Sequence, residues 1–407
     1  MRVVMARAAD SSTTHFVLTL DVVKAHRRIR IREKDWGLQT CRLSRPDLWV
    51  NRVGTFGVGS SCYWWSRLGG LLSRAVSAFL LRTLVWQLLY ADDVFWDVSG
   101  PQKFRDLLLA VLLWEALGTP VAWKKVKGGF ATDWLGYWVD YTRFELGISD
   151  SRAKWLTQWL ERTLQVGSVL VRDLRETLGR IGFAAGVLEW HRPFLAPLYA
   201  WVAVAPSSAF LPLPPAVKLA LLHLRDRFQR GLRTTPCRRP VAEPDKVYFA
   251  DAGADGNQVT MGGWEAVLGQ PLALARWFSI TIRPDQAPWL FPDGTGARRI
   301  AAAELLATLA CVVLFSPPGP ARARGTVSLS SAFTDNRGNS YAAAKLLTTK
   351  FPLSCIVMEL ATQMEIRQMW VDLAWTPREQ NTLADKLASP DPSAHADFSP
   401  SRRVADD

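Results

Sequence analysis

"LVWQLLYADDVFWDVSG", residues 84–100, sets two adjacent carboxylates, Asp92 and Asp93, between runs of Leu, Val, Trp, Tyr and Phe. The flanking runs read as two short strands, and the acids as the tip of a hairpin. A carboxylate half-buried among such residues is costly unless something positive faces it. Taken alone, the Asp-Asp pair has a plain explanation, because Asp favours turn geometry. An earlier acid changes the reading. "THFVLTLD", residues 14–21, is a strand that ends on Asp21. Strand and hairpin can lie side by side in one antiparallel sheet, which brings Asp21 and Asp92 together. Two carboxylates at close range repel unless cations sit between them. Hard oxygen ligands suit Mg²⁺ or Mn²⁺, and two such ions about 4 Å apart clamp the attacking and leaving oxygens of a phosphoryl transfer. Asp93 is expected to be a weaker partner, since adjacent strand residues point to opposite sides.

Outward from the hairpin, the Gly/Ser cluster at 54–61 is a loop, and Tyr63 to Trp86 has a helical pattern. Residues 101–118 read as a helix with Pro101 near its start and Gly118 at its stop, and 120–140 return as strands. Helical periods follow at 151–165, 172–186 and 216–232. A basic, proline-containing linker spans 233–245. Beyond it the pattern is strands at 246–252, 260–268 and 275–283, helix 299–315, strand 326–334, helices 337–350 and 355–367, strand 369–375 and helix 380–388. That order is an α/β layout. The tail 391–407, rich in Asp, Ser, Pro and Ala, is expected to be disordered. No internal repeat is visible.

The chain has 407 residues and a net charge of +12. The excess of Lys and Arg lies before residue 246, and the remainder is close to neutral. The first part is therefore the candidate for binding a polyanion. Cys41, Cys62, Cys237, Cys311 and Cys355 are odd in number and widely spaced, which supports neither a disulfide framework nor a zinc site and suits a reducing, intracellular setting. No signal peptide or membrane span is read.

The second half carries four further acids at the edges of elements. Asp251 lies in a strand, Glu304 on an apolar helix face, Asp335 at a strand end and Asp385 at a helix start. Asp335 could cap the next helix and Asp385 could satisfy a first turn. Glu304 is the hardest to explain so, because an apolar face seldom accepts an unpaired Glu.

Together these stretches carry a resemblance over about residues 15–390. "TLDVVKAHRRI", "GTFGVGSS", "YADD", "WKKVKGG" and "DWLGYWVD" occur in this order and resemble the motifs of a reverse transcriptase. "ADAGADG", "AAAELLA", "FTDNRGN" and "WTPREQNTLADKLAS" resemble a type-1 ribonuclease H, especially that of DIRS-like and related retroelements. The resemblance implies an α+β polymerase palm over 1–150, a helical thumb over 151–232 and an α/β ribonuclease H-like domain over 246–390.

It implies two-ion Mg²⁺ or Mn²⁺ centres at Asp21 and Asp92, with Asp93, and at Asp251, Glu304, Asp335 and Asp385. Nucleotide or template contacts fall at His26, Gly57, Ser61, Lys124 and Lys125, although a solvated lysine pair is an equal reading. The Tyr63-Trp64-Trp65 cluster reads as helix core. Arg172, Arg175 and Arg180 would track a duplex backbone or simply form a solvated face. Implied partners are an RNA template, a DNA primer, RNA–DNA hybrid, dNTPs and other polyprotein segments, with no membrane. The family usually has Tyr or Phe where His26 stands, and often a mobile His before the last Asp. Here that stretch offers Arg378 or Glu379 instead. Asn336 and Asn381 match positions that orient the site. About 20 residues precede Asp21, so a fingers subdomain is expected to be missing and polymerisation to be weak. A degenerate copy that binds nucleic acid without catalysis, and an unrelated interaction protein, stay open.

Overall fold

The computed structural model describes residues 2–9, 13–80, 84–237, 241–292, 294–316, 318 and 327–404. The chain is a mixed α/β protein that divides into two compact units, Met1–Leu146 and Gly147–Asp407. The second unit holds both residues 151–232 and residues 246–390, and the stretch between them begins with the strand Thr234–Pro236. Among the described residues no helix is long and apolar enough to cross a membrane.

In the first unit, Phe16–Asp21 is an inner strand of a four-stranded sheet. Its neighbours are Asp93–Val98 on one side and Lys127–Gly129 on the other, and Leu84–Tyr90 completes the sheet beyond Asp93–Val98. Helix Lys103–Ala116 presents Leu107, Ala110, Val111 and Trp114 to the core, the i, i+3, i+4, i+7 stripe of an amphipathic helix. Helix Gly59–Phe79 adds Trp65, Leu72 and Val76 to the same core. Trp96 and Trp114 meet edge to face, with ring centroids 5.2 Å apart. Asp97, between buried Trp96 and Val98, is itself 0% exposed. His15 Nδ1 lies 2.8 Å from its Oδ1, and the Tyr141 hydroxyl donates to its Oδ2 at 3.2 Å.

Three expectations change here. The helix over the Tyr63–Trp86 stretch ends at Phe79, and Trp86 lies in the strand Leu84–Tyr90, because strand pairing with Asp93–Val98 overrides a helical period. Residues 120–140 form strands as expected, except that Trp123–Lys125 is a 3₁₀ turn. The Tyr63-Trp64-Trp65 cluster is only partly core. Consecutive helical residues splay around the axis, so Trp65 is buried while Tyr63 and Trp64 are more than half exposed.

In the second unit, helices Asp150–Val166, Val171–Ala185 and Pro215–Gln229 match the expected periods, and a further helix, Ala196–Val204, joins them. The first begins under the Ser149 hydroxyl, which accepts from Arg152 N–H, and stops at Gly167, whose φ is 71°. A five-stranded sheet follows in the order Trp277–Ile282, Gln258–Val267, Val241–Asp255, Ser328–Thr334, Met369–Trp375. The first three are antiparallel, and the last two run parallel to Val241–Asp255. Helix Ile300–Phe315, apolar except at Glu304 and Thr308, buries Ala303, Leu305, Cys311 and Val312 in the same core as strand residues Tyr248, Ala250 and Phe278. Trp190, from the helical part, shares that core and stacks on Trp370 at 5.3 Å. Arg227 pairs with Glu365.

The tail is also a correction. Residues 391–404 are ordered, and 405–407 lie outside the described residues. Phe398 is 4% exposed and packs with Ala275, Trp277 and Leu387. Trp277 Nε1 donates to Ser399 O at 2.9 Å, and Val404 N donates to Trp277 O at 2.8 Å. The tail thus covers the edge strand Trp277–Ile282, which would otherwise present unpaired backbone groups. Composition alone suggested disorder, but one buried aromatic residue anchors the segment. Phe398→Ala should destabilise the second unit by about 3 kcal/mol. A urea midpoint for this unit equal to wild type would show that the tail does not dock.

Candidate catalytic carboxylates

The first group of acids is placed by strand register. Phe16–Asp21 pairs with Asp93–Val98 so that Asp21 opposes Asp93 directly. Directly opposed residues share a sheet face. The turn consumes Ala91 and Asp92, which leaves Asp93, not Asp92, across from Asp21. Ala91 sits at φ 51°, an uncommon conformation for a residue with a Cβ. Its carbonyl accepts from Trp65 Nε1 at 2.7 Å, and the Asp92 carbonyl accepts from Val22 N at 2.9 Å. The tip is therefore held from two sides. Burial raises the Asp93 pKa, with Asp92 and Asp21 adding to it and Lys125 opposing.

Lys125 donates from Nζ to Asp21 Oδ2 at 2.9 Å, and this bond raises the lysine pKa. The Trp123–Lys125 turn brings it there, beside Ala122 N, which donates to Asp21 O at 2.8 Å. Lys124 is exposed. His26 is 7% exposed and meets Phe56 edge to face at 4.9 Å. Gly57 has φ 84°, which a side chain would strain. Ser61 is buried, and its hydroxyl accepts from Thr55 N at 3.1 Å, so it braces the loop.

The second group is tighter. Asp251, Glu304 and Asp335 each offer an oxygen, and the three oxygens lie within 4.8 Å of one another. Asp251 lies toward the end of Val241–Asp255, and its cross-strand partner is Gly262. A Cβ on Gly262 would strike the backbone of Leu387, so only glycine lets the helix Thr382–Leu387 lie against the strand Gln258–Val267. That close approach places Asp385 near Asp251. Asp335 follows the strand Ser328–Thr334, and its carbonyl accepts from Trp375 Nε1 at 2.9 Å. Asn336, not Asp335, caps the next helix, accepting from Asn339 N at 3.2 Å.

Burial pushes the Asp251 carboxyl up to about 7, and Asp335 and Asp385 push the same way. Burial likewise raises Glu304 to about 7, partly offset by its hydrogen bond with Asn336. Asn339, missed in the sequence because an Asn inside a helix carries no pattern, donates from Nδ2 to Glu304 Oε2 at 3.3 Å and to Ala301 O at 2.8 Å. Asn381 donates from Nδ2 to Ala250 O at 3.2 Å and so ties the helix start to the strand that carries Asp251. Asn339 Oδ1 and Asn381 Oδ1 are buried with no partner. Asp385 stands outside the three-oxygen set and accepts from Arg378 Nη2 at 2.7 Å. The all-oxygen donor set, acidic and short of cations, fits a hard divalent ion.

Of the arginines read as duplex contacts, Arg175 donates to Val202 O at 2.6 Å and is tied to the helical part. Arg180 lies 4.1 Å over the Trp155 ring, and Arg172 is exposed.

No protein-family model and no curated protein matches the chain. Among solved structures it is similar to a foamy viral protease-reverse transcriptase dRH in complex with double-stranded DNA, at 11% identity and a TM-score of 0.44. That match covers 88% of this chain and 56% of that one. It is also similar to a foamy viral protease-reverse transcriptase in complex with RNA/DNA hybrid, at 10% identity and a TM-score of 0.40, over 92% of this chain and 66% of that one. The chain thus spans less than two thirds of the length of either.

The raised carboxyls make stability depend on pH. A carboxyl whose folded pKa exceeds its unfolded value favours the folded state while protonated, and this contribution is lost as pH rises. For Asp251 and Glu304 the window runs from about 4 to about 7. Without divalent ions, Asp251→Asn should therefore gain thermal stability over wild type across that window, by several degrees in Tm at pH 7.5. Parallel pH profiles for the two proteins would refute the shift at Asp251.

Proposed function

We propose that the chain is an RNA-directed DNA polymerase coupled to a ribonuclease H, with a palm over 1–150, a helical thumb over 151–232, a linker over 233–245 and a nuclease domain over 246–390. The observation that carries this reading is the gathering of Asp251, Glu304 and Asp335, from three separate elements, into one oxygen cluster. Nothing in ordinary packing requires it, and like charges oppose it.

In the nuclease, Asp251, Glu304 and Asp335 would hold Mg²⁺ or Mn²⁺, and Asp385 would join them. The bound ions supply a water nucleophile at neutral pH and neutralise charge on the phosphate. The protein's part is positional. Asn336 and Asn339 aim Glu304, and Asn381 fixes the helix of Asp385 to the Asp251 strand. The two raised carboxyls shed their protons as ions bind, so binding strengthens with pH. RNA in an RNA–DNA hybrid is the proposed substrate. In the polymerase, Asp21, Asp92 and Asp93 would play the corresponding part toward dNTPs on an RNA template and DNA primer, with His26 and Gly57 near the nucleotide. Descent from a DIRS-like or related retroelement rests on the motif resemblance.

A second reading has one observation in its favour. Lys125 occupies an oxygen of Asp21, which suits a copy that binds nucleic acid without polymerising. Two assays with Mg²⁺ separate the readings. Cleavage of an RNA–DNA hybrid should fall by more than about 100-fold in Asp251→Asn, since even outer groups of a metal site cost 10–100-fold. Undiminished cleavage would remove the nuclease site. Primer extension on poly(rA)/oligo(dT) that is lost in Asp21→Asn supports the polymerase, and none in wild type selects the second reading.

A further inference from the structure

Resting on the nuclease reading above, we propose that Arg378 is a resident counter-ion that holds Asp385 and competes with a divalent ion for it. Arg378 opens the 3₁₀ turn Arg378–Gln380, immediately before the helix that carries Asp385. Its Nη2 donates to Asp385 Oδ1 at 2.7 Å. The turn is anchored, because Thr376 Oγ1 donates to Gln380 Oε1 at 3.0 Å and Asn381 Nδ2 to Ala250 O at 3.2 Å. The guanidinium therefore departs from a fixed base, while its own side chain is 72% exposed and can swing into solvent.

The charges around it explain why it sits there. Asp385 is a like charge toward Asp251, and the Arg378 charge favours the ionised forms of Asp251 and Glu304. Arg378 thus relieves the repulsion among four acids while no ion is bound. The same charge opposes the entry of a second cation. Asp385 stands outside the three-oxygen set while Arg378 holds it, and Arg378 must release it before that carboxylate can turn to an ion. The pair is exposed on both sides, 72% and 45%, so solvent screens it and release is easy. Arg378 is a positioning residue in this scheme. It makes ion binding weaker and more reversible than four free carboxylates would.

The test is Mn²⁺ binding to the full chain without nucleic acid, read from the free-ion signal in electron paramagnetic resonance. Arg378→Gln should bind Mn²⁺ roughly three- to tenfold tighter than wild type. The gain should shrink as salt rises from about 50 mM to about 500 mM, because the groups are exposed. Arg378→Lys, which keeps the charge, should stay near wild type. In an Asp385→Asn background the Arg378→Gln gain should shrink to the part that Arg378 exerts on Asp251 and Glu304 directly, because the rest passes through the pair. An Arg378→Gln affinity no tighter than wild type overturns the proposal, and so does an equal gain in the Asp385→Asn background. Asp251→Asn separates the two levels. If it binds Mn²⁺ as wild type does, the site reading falls and the counter-ion with it. If it loses binding while Arg378→Gln changes nothing, only the counter-ion falls.

Discussion

Carboxylates drawn together out of water govern the second unit. A charge in a poorly solvated place must find a partner or give up its ionisation. Asp251 and Glu304 take the second course, with pKa values near 7. The surrounding polar groups are arranged for the ionised forms all the same. Ala252 N donates to Asp251 Oδ1 at 2.8 Å, and Asn339 donates to Glu304 Oε2. A group equipped with donors and still held near neutrality is short of one thing, a positive charge.

Asp97 in the first unit supplies the contrast. It is more deeply buried than Asp251, and burial raises its pKa too. Its oxygens, however, are met by His15 and Tyr141, with the His15 and Tyr141 rings stacked at 5.4 Å. This carboxylate is satisfied within the protein and has a structural part. Depth of burial therefore does not separate the two kinds of acid. The difference lies in what closes the charge, which is a neighbouring side chain for Asp97 and two further carboxylates for Asp251.

How much of this was legible in the sequence follows the same division. The strands and helices after residue 246 emerge nearly as read, because apolar runs bounded by Gly, Pro and Asn mark them. Of the four acids of that half, Glu304 stands out on its apolar helix face, whereas Asp335 and Asp385 each have an ordinary local reading. The antiparallel placement of Asp21 beside the hairpin was also legible. What stayed hidden depends on contacts distant in the chain or on spacing finer than pattern. Placing Asp93, rather than Asp92, directly across from Asp21 needs the turn length. Ala196–Val204 is apolar all round and preceded by Pro193, so it shows no period. Ser61, Asn339 and Phe398 act through partners that no local pattern predicts. His15 lies 82 positions from Asp97, and nothing local links them.

Both groups of acids carry one basic side chain of the protein's own, but the two pairings differ in kind. Lys125 reaches Asp21 across 104 positions of sequence, and only the folded sheet can make that bond. The Asp21 side chain is 13% exposed, so water screens the pair poorly on that side. Arg378 reaches Asp385 within seven residues, around a single bend, and both partners are well exposed. A screened, local pair is cheaper to open than a partly buried, long-range one. An incoming cation would thus meet unequal resistance at the two places. On the proposed reading Asp385 would be the acid more readily surrendered, whereas Asp21 would be held more firmly by its lysine. The same pairing of acid and base that stabilises each group at rest would therefore set how readily each one accepted a metal.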